Sequence, residues 1–232
     1  MTLPQKLVAE FIGTFILIFV GAGSICADQA LRAAGGAGVG LLGIAVAHGL
    51  AYSIAVTAIG HISGGHINPA VTIGFWVTKK LGTIEALAYW VAQLAGGIAA
   101  AYLLRTLIAE DIWRAVWLGT PLLARDYSVA NGIILEAVMT FFLVFVFFAT
   151  AADERGAFGK IAGFAIGLTV AMDILVGGPF TGASMNPARS LGPALAARAW
   201  THHGVYWVGP LLGGALAGAL YNSLYLRKSS EA

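Results

Sequence analysis

The chain has 232 residues, 59% of them hydrophobic and only 10% charged, with a formal net charge of +2 and a mean hydropathy of +0.83. A soluble domain carries about 25% charged residues, so most of this chain belongs in lipid, and its small net charge leaves no footprint for nucleic acid. The single cysteine, Cys26, excludes an internal disulfide and a cysteine-rich metal site.

Predominantly apolar stretches of about 20 residues read as membrane spans. In chain order they run from Leu7 to Ile25, Val39 to Ile59, Ile84 to Leu107, Asn131 to Ala152, Ile161 to Val176 and Val205 to Leu226. The first contains Glu10 and lacks a clear cleavage site, so it reads as a retained span and not a signal peptide. The 31 glycines suit closely packed spans. On the last span Gly209, Gly213, Gly214 and Gly218 have small-xxx-small spacing. Trp90, Trp113, Trp117, Trp200 and Trp207 read as interfacial anchors, and His202 and His203 as exposed loop residues.

Two stretches organise the chain: HISGGHINPAVT (His61 to Thr72) and GPFTGASMNPARS (Gly178 to Ser190). Each carries Asn-Pro-Ala after a Gly-rich approach, at Asn68, Pro69 and Ala70 and at Asn186, Pro187 and Ala188. Asn is a good helix N-cap and Pro fits the first helical position, so each triplet starts a helix. The helices that follow, Pro69 to Thr78 and Pro187 to Arg198, reach only about 15–18 Å, half the hydrocarbon core of about 30 Å. Each is therefore a half-span that enters and leaves on one face. Irregular backbone at that depth is tolerated only in protein or against water, so these loops line a wet cavity.

Lys6, Lys79, Lys80, Arg155, Lys160, Arg227 and Lys228 fall on one side of the spans; Arg32, Arg105, Arg114, Arg125 and Arg198 fall on the other. All lysines are in the first group, which places that side and both termini in the cytoplasm. The chain also repeats itself, over approximately 1–115 and 126–232. Glu10 to Thr14 matches Glu136 to Thr140, Asn68 matches Asn186, and YWVAQLAGG (Tyr89 to Gly97) matches YWVGPLLGG (Tyr206 to Gly214). Three spans per half invert the second half against the first, and inverted repeats place a shared site near the midplane.

The paired Asn-Pro-Ala loops, at this spacing in a membrane chain, resemble those of the aquaporin (major intrinsic protein) family, and the resemblance covers nearly the whole sequence. It implies an all-α membrane protein of six spans and two re-entrant half-helices, assembled as a homotetramer and conducting water passively, most simply in the cell membrane. Half-helix N-termini of about half a positive unit each would face the pore centre and disfavour cations and protons. Asn68 and Asn186 would cap through their oxygens and leave their NH2 groups free for water. The carbonyls of Gly64, Gly65, His66, Gly182, Ala183 and Ser184 would form a ladder of acceptors, and Glu10 and Glu136 would buttress the loops. Arg189 would stand in the narrowest constriction, with His48, Ile174 and Ala183 as its partners.

Strict water channels have Phe and His where this chain has His48 and Ile174. The set here resembles the filter of plant tonoplast intrinsic proteins, some of which also pass ammonia or urea, so ammonia joins water as an expected solute. His48 then supplies it a donor and an acceptor. Glycerol facilitators carry Asp and Lys where this chain has Ser190 and Ala194 and Pro-Leu where it has Tyr206 and Trp207, which argues against a glycerol channel. A broader neutral-solute channel (urea, glycerol, peroxide) is the alternative, and a proton-coupled transporter is less favoured. No cofactor, metal or enzymatic nucleophile is expected, and Asp173 has no assigned role.

Overall fold

The computed structural model describes residues 1–155 and 161–226. Nine α-helices are described: α1 (Leu3–Ala33), α2 (Gly40–Ser63), α3 (Pro69–Val77), α4 (Thr83–Leu107), α5 (Glu110–Ala115), α6 (Val129–Phe147), α7 (Ala162–Thr181), α8 (Pro187–Ala197) and α9 (Val205–Tyr221). Turns of π-helix, Phe148–Ala152 and Asn222–Leu226, extend α6 and α9. The helices α1, α2, α4, α6 and α7 are long and apolar enough to cross a membrane by themselves, and α9 with its π turn is the sixth span. The half-helices are α3 and α8, with 9 and 11 residues. Lys160, Arg227 and Lys228, counted for orientation, lie outside the described residues.

The spans run beyond the apolar stretches that predict them. Helix α1 has 31 residues, about 46 Å at 1.5 Å per residue, so its ends stand clear of the hydrocarbon. Its extension places Cys26 inside the helix and buried, not at its end. Helix α5 and the 3-10 turn Trp117–Gly119 were not predicted. Trp113 of α5 is not a lipid anchor: it is buried, with the guanidinium groups of Arg105 and Arg114 5.1 and 5.0 Å from its ring. Nor is His203 an open loop residue; it is half-buried, 5.1 Å from the Trp200 ring, and accepts from Trp207 Nε1 at 3.1 Å.

Helix α1 packs on α2 and α4, α6 packs on α7 and α9, and α2 packs on α7. The half-helices are held in the same way in both halves, α8 against α4 and α3 against α9. Paired glycines make this possible. A Cβ on Gly96 would collide with the Phe11 carbonyl of α1, and one on Gly97 with the Ala188 carbonyl of α8. Gly213 and Gly214 stand in the same relation to the carbonyls of Ala137 on α6 and Ala70 on α3. Outside, Leu50, Leu87, Val91, Ile134 and Phe164 are exposed apolar side chains, the surface that lipid requires.

Candidate functional site

Both approach loops are backbone structures that a right-handed chain cannot make. Gly64 (φ 91°) and Gly182 (φ 79°) end α2 and α7 in the left-handed region, each donating its N–H back one turn, to Gly60 O at 2.9 Å and Gly178 O at 3.1 Å. Ile67 and Met185 also sit at positive φ, 44° and 53°. Ala183 (φ 44°) occupies the left-handed position that Gly65 (φ 63°) fills in the other loop.

Such conformations persist only if the surroundings impose them, and here two buried carboxylates do. Glu10 Oε1 accepts from Ser63 Oγ at 2.7 Å and His66 N at 2.9 Å; its Oε2 accepts from Ile67 N at 2.6 Å and Gln93 Nε2 at 2.8 Å. Glu136 repeats the pattern, accepting from Thr181 Oγ1 at 2.7 Å and Ser184 N at 2.9 Å on Oε1 and from Met185 N at 2.7 Å on Oε2. Tyr89 donates its hydroxyl to Ser63 O at 2.7 Å and Tyr206 to Thr181 O at 2.9 Å. These tyrosines share a place in the repeated YWV sequence, which is the signal by which they could have been found. The halves differ at Gln93, whose counterpart is Pro210; Gln93 also donates to Thr72 Oγ1 at 3.0 Å.

Asn68 and Asn186 are N-caps. Asn68 Oδ1 accepts from Ala70 N at 2.8 Å, and Asn186 Oδ1 accepts from Ala188 N at 2.9 Å and Arg189 N at 3.3 Å. Their NH2 groups, expected to be free, are partly engaged. Asn68 Nδ2 donates to Met185 O at 2.9 Å, and Asn186 Nδ2 donates to Ile67 O at 3.0 Å. Each cap therefore ties its own half-helix to the opposite loop, and each amide keeps one hydrogen beyond that bond. The N-termini of α3 and α8 meet at this double bond.

Of the predicted acceptor ladder, the His66 carbonyl takes the Tyr52 hydroxyl at 2.9 Å. The carbonyls of Gly64, Gly65, Gly182, Ala183 and Ser184 meet no donor among the described residues. His66 turns its ring into the protein, with Nδ1 3.1 Å from Thr72 Oγ1 and its centroid 4.5 Å from that of Phe75.

Arg189, one residue beyond the second triplet, is buried. Its Nη1 donates to Gly119 O at 2.7 Å, its Nη2 lies 3.3 Å from His48 Nε2, and its Nε has no partner among the described residues. The Gly119 carbonyl, in the turn after α5, was not predicted: a backbone oxygen has no signature in sequence. His48 Nδ1 lies 2.9 Å from Ile44 O. A carbonyl only accepts and a guanidinium only donates, so the ring carries its hydrogen on Nδ1 and its Nε2 lone pair faces the arginine. Both nitrogens are occupied, and His48 does not offer a passing solute the donor and acceptor that the sequence suggested. Gly21 makes room for the ring, since a Cβ there would lie 2.6 Å from it. His48, Ile174, Ala183 and Arg189 line one narrow cavity of about 10 Å3, room for about one water, which continues past Tyr52 to Asn186. Asp173, beside Ile174, is buried with its Oδ2 unpartnered among the described residues. Those residues hold no group of three His, Cys, Asp or Glu side chains fit for a metal ion.

A sequence profile of the Major intrinsic protein family matches residues 1–221. The chain belongs to the major intrinsic protein family. Similar relatives include a probable aquaporin TIP3-2 of Arabidopsis thaliana, 45% identical over 96% of this chain and 84% of its own length. Aquaporin TIP4-4 of Zea mays is 45% identical over 98% and 89%, and aquaporin TIP1-2 of the same plant 46% identical over 94% and 85%. Among solved structures, the aquaglyceroporin from Plasmodium falciparum superposes over the full length of both chains with a TM-score of 0.86 at 22% identity, a likeness of fold. As a major intrinsic protein the chain is an integral, multi-pass membrane channel and not an enzyme.

Proposed function

We propose that the chain forms a passive water pore that excludes protons and ions, running past Arg189 and between Asn68 and Asn186. The observation that carries this reading is the meeting of two helix N-termini through reciprocal asparagine bonds. Two positive helix ends face one point, which disfavours a cation there. The amide hydrogens left on Asn68 and Asn186 are donors, so a water between them accepts twice and turns its own hydrogens outward. That orientation breaks the donor chain along which a proton would hop. On either side the unpaired loop carbonyls need hydrogen-bond donors, which a file of water supplies. The buttressing of both loops by Glu10 and Glu136 supports an inverted repeat, and the lysine distribution supports cytoplasmic termini. Membership of the family supports a homotetramer in a membrane.

The filter supports ammonia as a second solute, by a route that differs from the sequence expectation. With His48 saturated, the polar contacts left to ammonia are the Ala183 carbonyl and the three Arg189 N–H groups that meet no acceptor among the described residues, one on each nitrogen, with the apolar Ile174 lining the same cavity. Proteoliposomes test both halves of the reading. An osmotic step should give water efflux well above empty liposomes, with glycerol efflux at their level. An ammonium jump should alkalinise the lumen, and a pH gradient with a potassium diffusion potential should give no proton leak beyond lipid. Alkalinisation equal to empty liposomes would remove ammonia and leave the water pore. A proton leak that scaled with protein would favour the coupled transporter.

A further inference from the structure

The half-helix α3 ends in a way its pore function does not require. Lys80 N donates to Phe75 O and Lys79 N to Trp76 O, both at 2.9 Å, which is the Schellman pattern for closing a helix. The residue at the left-handed position of that closure is ordinarily glycine. Here it is Lys79, at φ 61°, which carries strain that glycine would avoid. Strain that glycine would avoid makes the Lys79 side chain a candidate for function.

Lys79 borders an open cleft of about 480 Å3 between the end of α3 and the end of α9. The cleft has a polar and an apolar end. Val77, Leu216 and Leu220 form the apolar part and are exposed on the surface that faces lipid. Thr78, Lys79 and Asn222 form the polar end. Lys80 follows, also exposed, and neither ammonium group meets an acidic side chain among the described residues, whereas nearby Lys6 is paired with Glu85 at 2.7 Å. Trp76 stands beside them, half-exposed, its Nε1 donating to Thr83 Oγ1 at 3.0 Å, the setting of an interfacial indole. Two unpaired cations at headgroup depth, above an apolar groove, complement one kind of molecule.

We propose that this cleft is a binding site for an anionic phospholipid, its headgroup phosphate on Lys79 and Lys80 and an acyl chain along Val77, Leu216 and Leu220. The site lies on the lipid-facing wall, away from Arg189 and the asparagines, so it is separate from the pore. A basic residue near a membrane surface strengthens attraction to an anionic lipid by about fivefold, so two set the scale of the expected preference.

The test uses the full chain in bilayers of equal phosphatidylglycerol and phosphatidylcholine with the same acyl chains. After re-extraction, native mass spectrometry counts the lipids each protein retains. The parent should hold phosphatidylglycerol over phosphatidylcholine by about fivefold or more. Lys79→Gly with Lys80→Ser should bring the ratio within about twofold of unity, with water flux unchanged. That pair should fold, because glycine relaxes the turn at position 79. Lys6→Ser with Glu85→Ser should keep the parent's ratio. Equal retention of the two lipids by the parent overturns the proposal, and so does a preference that survives the loss of both lysines.

Discussion

Replacing Glu136 with glutamine changes one oxygen to an NH2 and little else. The amide oxygen can stay where Thr181 Oγ1 and Ser184 N approach, which leaves the new NH2 facing Met185 N, formerly 2.7 Å from a carboxylate oxygen. One buried backbone N–H then loses its acceptor, at about 1–3 kcal/mol, and the two bonds that remain fall from charge-assisted to neutral, to roughly half their strength. A net cost of about 2 kcal/mol corresponds to a fall in apparent Tm of about 4–8 °C for a chain of this size. Glu136→Ala orphans all three donors and should yield little folded protein. The glutamine exchange at Glu10 should cost about as much, because Ile67 N approaches the same oxygen as Gln93 Nε2 and loses its acceptor just as Met185 N does. Gln93 Oε1 is buried without a partner among the described residues, and by turning its amide Gln93 can accept from the new NH2, so Gln93→Leu added to Glu10→Gln should cost more than Glu10→Gln alone. The assays are thermal unfolding of the purified protein and osmotic shrinkage of proteoliposomes matched for folded protein. If Glu136→Gln and Glu136→Ala both kept the parent's Tm and water flux, the loops would hold their left-handed backbone without the carboxylates, and the reasoning would be wrong.

Three further outcomes follow from the packing, the topology and the loop after α6. Gly214→Ala would force α9 away from the Ala70 carbonyl of α3 and should reduce water flux more than Leu216→Ala, a change on the exposed face; equal fluxes would show that the half-helix tolerates the shift. Cysteines introduced at Lys80 and Arg198 should label from opposite faces of the membrane, and same-face labelling would reject the inverted repeat. Arg155, with help from the Tyr221 hydroxyl, holds the Asp153 carboxyl well below the usual carboxylate range. Because the folded pKa is the lower one, this stabilisation is present above the unfolded value of about 4 and is lost as pH falls through the folded value. Asp153→Asn should lower the apparent Tm by about 2–4 °C at pH 7; the gap from the parent should narrow in strong acid, and a gap that did not change with pH would contradict the assignment.

Much of this architecture was legible because it rests on local chemistry. Asn caps a helix and Pro fits its first position, nine to eleven helical residues cannot span a bilayer, and a carboxylate inside a span must find donors. The glycines of the last span were legible as packing residues for the same reason. What could not be read depends on groups distant in sequence or on backbone atoms. The bonds from Asn68 to Met185 and from Asn186 to Ile67 cross more than half the chain, and no local signal states that one loop's carbonyl will take the other's amide. Arg189 is anchored on Gly119 O, a backbone oxygen that no side chain announces. His48 was legible as a filter residue, but its saturation depends on Ile44 O one turn back and on the reach of Arg189. Trp113 misled because arginines as well as lipid can cover an indole at a span end.

The central claim is that water passes the left-handed turn at Ala183, and a thiol placed there tests it most directly. The parent's only cysteine, Cys26, is buried in α1, so water flux through parent proteoliposomes should be nearly insensitive to a mercurial. Ala183→Cys should conduct as the parent does, lose that flux when the mercurial is added and regain it with excess reducing thiol. A variant that shrinks at the parent's rate after mass spectrometry shows complete mercury modification of Cys at 183 would contradict the account, because the water would then be taking another path.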